Sequence, residues 1–396
     1  MLRNLAFAAL FVAAPALAKD LVVEAGPKAQ ERLQSALLDA RPGDTVRIGA
    51  GRFELTDGLS LDVNGVTVRG AGPGSTVLSF KGQLGAGEGL LVTSDDVVLR
   101  DFAVEDSKGD GIKSKGADRI VYKNVRVEWT GGPKATNGAY GVYPVESEDV
   151  LIDGVTVIGA SDAGIYVGQS SRIIVRNSVA KYNVAGIEIE NSGYAEVHGN
   201  QVSHNTGGIL VFDLPALPRR GAGRVAVWGN SVVDNDTPNF APKGNIVASV
   251  PTGTGVLIMA QDMVQVGNNM LSGNGTANIM VVAYRQPFDD KGYDPIPHDI
   301  YISVNKHGRA GFAPAMPGGP LLAAAMGGAI PPILWDGTGG SEVRLVVNDN
   351  VPVLGLGLAL GASLETARPA EVKLSGPIAA PLAPIALPPA MEAAAR

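Results

Sequence analysis

The sequence predicts an all-β chain wound into a right-handed, single-stranded parallel β-helix with three short strands per coil. Three observations predict it. A glycine followed by an alternating apolar strand recurs at Gly89, Gly111, Gly141, Gly164, Gly186, Gly208 and Gly255, and Asn278 takes the same place before Ile-Met-Val. The commonest interval is 22 or 23 residues, and two longer gaps read as coils carrying inserted loops. Between successive signatures lie two further strand-like pieces, typified by Arg-Ile-Ile-Val (172–175) and Ser-Val-Ala (178–180) and bounded by Gly, Asn, Asp or Ser. Pieces this short with a period of two are strands rather than helices. Self-similarity at this interval means a stacked solenoid, in which each unit buries its apolar face only against its neighbours. The right-handed sense follows from the rule for parallel crossovers.

The elements follow in order. Residues 1–18 carry the parts of an export signal: Arg3, the apolar run 5–14 and a small-residue cleavage site at Ala16-Leu17-Ala18. That run is too short to span a bilayer, so the expected location is periplasmic or secreted. With no cysteine, stability must come from the core and hydrogen bonds rather than disulfides. Residues 19–57 read as an N-terminal cap, a helix over 27–40 with Leu33, Leu37 and Leu38 on one face, then short lead-in strands. A helix there covers a sheet edge that would otherwise recruit other chains. The β-helix proper is expected over 58–311. Pro, Gly and Ala then dominate, so 312–375 reads as an irregular C-terminal cap with short strands. Residues 376–396 read as a low-complexity tail, disordered or linker-like. The formal charge of −7 argues against nucleic-acid or anionic-membrane partners.

Alternation sorts the strand residues. In NVAGIEIENS (183–192), Ile187 and Ile189 point into the coil while Glu188 and Glu190 point out. Asn183 and Asn205 suit a ladder of side-chain amides that satisfies turn backbone groups between coils. Stacking the outward positions gives a polar patch of Lys113 and Lys115, Tyr143 and Tyr166, then Glu188 and Glu190, bounded by apolar positions and overhung by loops 129–140 and 213–250. Tyr166, Lys113, Glu188 and Glu190 are the candidate catalytic residues. Tyr143, Lys115, Asp213 and Phe212 are the candidate substrate contacts.

Such a patch suits an acidic polysaccharide. Tyrosines stack on sugar rings, and lysines neutralise a uronate carboxylate, which acidifies the C5 proton for removal by a tyrosinate or lysine base. That is lyase or epimerase chemistry. Hydrolysis stays open, because Glu188 and Glu190 have Cα atoms about 6.6 Å apart. Their carboxyls can then fall in the retaining or the inverting range, about 5–9.5 Å overall. The same pattern also fits a solvated ladder on an exposed sheet face. The four histidines, His198, His204, His298 and His307, are scattered without ligand spacing, so no metal site is assigned. Calcium is the one cofactor left open, at the turn residues Asp106, Asp110 and Asp162.

Residues 58–311 resemble the right-handed parallel β-helix repeat proteins of the pectin-lyase-like superfamily. More narrowly, WTGGPKATNGAYGVYPV (129–145), SDAGIYVGQS (161–170), NVAGIEIENS (183–192), NTGGILVFDLPALP (205–218) and TPNFAPKGNIVASVPTGTG (237–255) resemble one exported group, typically encoded beside a c-type dihaem cytochrome. The resemblance implies the fold, export and a redox neighbour, and it supplies no catalytic residues to carry over. The motifs of polygalacturonases are missing. The Asp-Pro-His-Asp of alginate C5-epimerases is interrupted here, as Asp294-Pro295-Ile296-Pro297-His298-Asp299. The alternative to a glycan-active protein is therefore a non-catalytic periplasmic accessory or scaffold working with a c-type cytochrome or another redox partner.

Overall fold

The computed structural model describes residues 18–85, 87–220 and 223–396. The export segment therefore lies outside the described residues, apart from Ala18. Three long sheets run along the molecule, and each strand pairs with its counterpart one coil away. The signature strands, among them Ile112–Lys115, Tyr140–Val145, Ala163–Gly168, Ala185–Glu190 and Gly207–Phe212, form a first sheet of twelve. The Arg-Ile-Ile-Val pieces form a second sheet of twelve, and the Ser-Val-Ala pieces a third of ten. Pairing along the stack is parallel, and only the edge strand Ala370–Val372 runs antiparallel to its neighbour among the described strands. The result is a right-handed parallel β-helix.

Inside the coil, Ile165, Ile187, Ile209 and Val256 stand in register from coil to coil, and each is fully buried. The recurring glycine has a steric cause. A Cβ on Gly186 would sit 2.7 Å from the carbonyl oxygen of Gly208 and 2.6 Å from Val202 Cγ1. Gly164 faces the carbonyl of Gly186 in the same way, so each signature glycine lets the next coil's backbone approach.

The asparagine ladder expected from Asn183 and Asn205 continues through Asn235 to Asn274, with side-chain amide bonds of 3.0 Å between successive members. A second ladder, Asn200, Asn230, Asn269 and Asn305, ends on Asp349. Both ladders close turn N–H groups that the dry interior would otherwise leave unpaired.

The ends differ in detail from the sequence expectation. The capping helix spans Ala29–Asp39 and buries Leu33 and Leu37, but Leu38 is exposed. The stack continues past 311 through Ile333–Trp335 and Val353–Gly355 in the first sheet. The tail is not a free linker. It runs back along the outside of the second sheet, where Gln265 binds the carbonyl of Ala380 and the amide of Leu382. Its last helix, Pro389–Ala394, presses Met391 with Leu387 onto Val121, Leu151 and Ile174. Arg176 and Glu392 close that contact at 2.8 Å. Composition concealed this, because the alanines and prolines cover apolar surface supplied by outward Val121, Leu151 and Ile174.

Candidate functional site

The outward column Lys113, Tyr143, Tyr166, Glu188 and Leu210 forms on the first sheet as alternation requires. It is not a solvated face. Glu188 is 1% exposed, Tyr166 3% and Glu190 7%. The cover is the loop carrying the short helix Ile246–Ser249, which packs Val247 and Val250 against the sheet as part of a second apolar core outside the coil.

The site is built around three tyrosine rings. Tyr140 lies 4.5 Å from both Tyr143 and Tyr166, and Tyr143 meets Tyr166 edge to face at 4.7 Å. Tyr140 and Tyr143 are half-buried and form the open side. Gly168 decides where Tyr166 points, because a Cβ there would stand 2.2 Å from the Tyr166 hydroxyl. With that space empty, the phenol lies along its own strand and donates to Glu190 Oε1 at 2.8 Å. Glu190 pairs in register with Gly168.

Four carboxyls converge on these rings. Burial pushes Glu190 up to about 7, against the Tyr166 hydrogen bond and with help from Asp162. Burial likewise pushes Asp162 up to about 7, although Asn245 of the covering loop donates to its Oδ2 at 2.8 Å. Asp110 rises to about 6 for the same reason, opposed by Lys113. Glu188 stands well above the ordinary carboxylate range, through burial and then the charges of Asp162 and Glu190. Among the described residues, neither Glu188 oxygen has a hydrogen-bond partner, nor does Asp162 Oδ1. The desolvation of a charge is too costly to leave unpaired, so these acids share protons at neutral pH and titrate as a group.

The same surroundings correct two expected roles. Burial and the neighbouring carboxylates hold the Tyr166 and Tyr143 phenols protonated, so a tyrosinate base gives way to a hydrogen-bond donor. Lys113 is held by Glu88 at 3.4 Å and Asp110 at 3.7 Å, with its ammonium 4.8 Å over the Tyr143 ring. It therefore acts as a charge partner.

The sequence of the coils is matched by the model of the right-handed β-helix region, over residues 61–216 and 137–287. The chain belongs to the right-handed β-helix family. Among the solved structures that match, two share the fold over most of their length. The A-module of mannuronan C-5 epimerase AlgE6 from Azotobacter vinelandii is 17% identical with a TM-score of 0.56, covering 85% of this chain and 81% of that one. The A-module of AlgE4 from the same organism is 14% identical with a TM-score of 0.53, covering 80% and 91%. No curated protein matches the chain.

Other expected residues of this β-helix protein lie elsewhere. Lys115 is exposed and faces Glu146 at 3.7 Å. Phe212 is buried two positions past Leu210 and lines a separate apolar cavity. Asp213 accepts from Gln261 at 2.7 Å and its carbonyl from Tyr293 at 2.7 Å. Among the calcium candidates, Asp106 holds Thr130 outside the cluster. Among the described residues, no three His, Cys, Asp or Glu side chains group in metal-holding geometry. His298 and Asp299, of the interrupted epimerase motif, stand on the second sheet paired with Asp294 and Arg344.

The sequence alone does not single out Tyr140, Glu88 or Asn245 as site residues, and it presents Asp110 and Asp162 only as turn acids. A signal existed. The position just before each glycine forms a third outward column, Tyr140, Ala163, Ala185 and Gly207. Its small members leave room for the covering loop and for the ring of Tyr140.

Proposed function

We propose that this β-helix protein is exported, to the periplasm or beyond, and moves a proton on an acidic polysaccharide bound at the tyrosine–carboxylate cluster. The observation that carries the reading is the 2.8 Å bond from Tyr166 to Glu190. It joins a phenol held protonated to a carboxyl with a pKa of about 7. A base so tuned works best near neutral pH. Glu190 takes the C5 proton beside the uronate carboxyl. The charge that develops there is met by Lys113 and by the protonated carboxyls of Glu188 and Asp162 acting as donors. In chain cleavage Tyr166 gives its proton to the departing C4 oxygen and regains one from Glu190 across their hydrogen bond, whereas in epimerisation the opposite face of C5 is protonated from solvent. The half-buried rings of Tyr140 and Tyr143 offer flat faces to an incoming sugar. Two solved neighbours named mannuronan C-5 epimerases accord with C5 chemistry.

The test is NMR of mannuronate and galacturonate polymers in heavy water, in which epimerisation is read as deuterium at C5 and chain cleavage as the vinylic C4 proton of the unsaturated product. Turnover by the native protein should fall about 100-fold or more in Glu190→Gln. A native protein that yields neither signal on either polymer overturns the proposal.

One observation favours a second reading. Glu188 and Tyr166 are closed over by the loop that Asn245 fastens to Asp162. A closed cluster also suits a non-catalytic accessory protein, working with a c-type cytochrome or another redox partner. That reading expects inertness towards every glycan together with co-purification of a haem protein.

A further inference from the structure

One coil above the carboxylates, the outer face of the first sheet changes character. Glu188 is followed in register by Leu210, Leu257, Met280 and Leu334, and Glu190 by Phe212, Met259 and Val282. Over these side chains lies a cavity of about 500 Å³. Its floor is the sheet, and its roof is Val247, Val250 and Pro251 of the covering loop together with Met316 and Leu322. Protein interiors are close-packed and leave few voids larger than a water molecule. A recess of this size, lined by aliphatic chains and three methionines, has the dimensions of a small-molecule site. Methionine walls adapt to ligands of irregular outline.

The polar groups at the rim define the head of the occupant. Arg285 and Asp336 are the charged residues of the lining, and each is already satisfied. Asp336 accepts the amides of Ala283 and Thr338 at 2.9 and 2.8 Å. Arg285 lies 3.9 Å from that carboxylate and donates to Thr338 Oγ1 and to the carbonyls of Ala359 and Ala362. The pair is closed and neutral, so no charge is left over for an ionic head group. Of the uncharged polar residues in the same wall, Gln286 is exposed and Tyr284 is buried. Its hydroxyl has no hydrogen-bond partner among the described residues and is absent from the sealed-off polar atoms.

From this we infer that the cavity is a binding site for an uncharged apolar molecule with a single hydrogen-bonding head, such as a long-chain alcohol or ester, held by Tyr284. The inference does not rest on the glycan reading of the carboxylate cluster. The two sites occupy successive coils of one sheet face and share the covering loop, which places Asn245 on Asp162 and Val247 and Val250 over the cavity.

The test uses the purified full-length protein and N-phenylnaphthylamine, an uncharged fluorophore that brightens in apolar surroundings. The native protein should bind it with one saturable site. Dodecanol should displace it, and dodecanoate should need about tenfold or more higher concentration. Met280→Trp and Val250→Trp fill the cavity from opposite sides and should each weaken the probe about tenfold or more while circular dichroism stays native. Tyr284→Phe should weaken dodecanol several-fold and leave the probe unchanged. Absence of saturable binding, or equal binding by both filled and folded variants, overturns the site. Equal displacement by dodecanoate overturns the uncharged head.

Discussion

Replacing Glu190 by glutamine isolates the energetic consequence of the buried carboxyls. The amide keeps an oxygen to accept the Tyr166 hydroxyl, so the 2.8 Å bond survives while the titration disappears. In the native protein the Glu190 carboxyl is raised from 4.5 to about 7, first by burial. A raised acid stabilises the fold in its protonated form. That contribution is complete below pH 4.5 and is lost as pH climbs through about 7. At about 1.4 kcal/mol for each pH unit, the gap amounts to about 3 kcal/mol. Melting followed by circular dichroism at pH 5 and pH 9 reads it out. The Glu190→Gln variant should melt within a degree or so of the native protein at pH 5. At pH 9 it should melt ~5 °C higher, at the low end of the usual conversion because the chain is long. Asp162, also raised to about 7, leaves a residual alkaline loss in both proteins. Parallel melting curves across the whole range would refute a protonated, desolvated Glu190 and with it the proton-sharing cluster.

Three further outcomes test the scaffold. Asn205→Ala removes donors to Ala180, Ser203 and Asn235 and an acceptor for Asn183, all buried except the part-buried bond to Ser203, and should cost about 4 kcal/mol in chemical denaturation. Gly186→Ala drives a Cβ against the Gly208 carbonyl, a backbone atom that cannot step aside, and should lower stability by about 1–3 kcal/mol in the same assay. Deleting residues 386–396 bares Val121, Leu151 and Ile174, and should raise binding of an apolar dye and promote self-association by light scattering. A deletion as monomeric and dye-free as the full chain would show that the tail is not a structural strap.

The coil was legible in sequence because its constraints repeat. Ile165, Ile187 and Ile209 must fill one dry column, and Gly164 and Gly186 must admit the carbonyl of the next coil, so the same residue types return at the same interval. Asn183 and Asn205 were readable for the same reason, since each turn leaves the same backbone amide to satisfy. The tail and Leu38 obey no repeat. Whether Leu387 is free or docked depends on Val121 and Ile174, outward residues hundreds of positions away whose apolar character reads locally as an ordinary strand.

The site was half legible, and the missing half follows from what a two-residue period encodes. Alternation tells in from out, and it put Lys113, Tyr143, Tyr166 and Glu188 in one column. It says nothing about what lies over the outer face. The loop that roofs Glu188 is an insertion between Gly208 and Gly255, outside the repeat, and the Asn245 contact with Asp162 shows it folding back three coils. That contact changes the chemistry. On an exposed face Glu188 and Glu190 would be ordinary ionised surface acids, and Tyr166 an ordinary phenol. Under the roof the same residues exchange charge for protons, and Tyr166 becomes a donor to a carboxyl poised at neutral pH. The functional content therefore resides less in the column than in its cover, and a variant that lifts the loop, such as Asn245→Ala, should lower the Asp162 pKa by rehydrating it even though it removes a hydrogen bond that itself favours the charged form. Carbon-13 NMR titration of the aspartate carboxyls reads that balance directly, and a pKa that rises instead would mean the roof does not control the site's hydration.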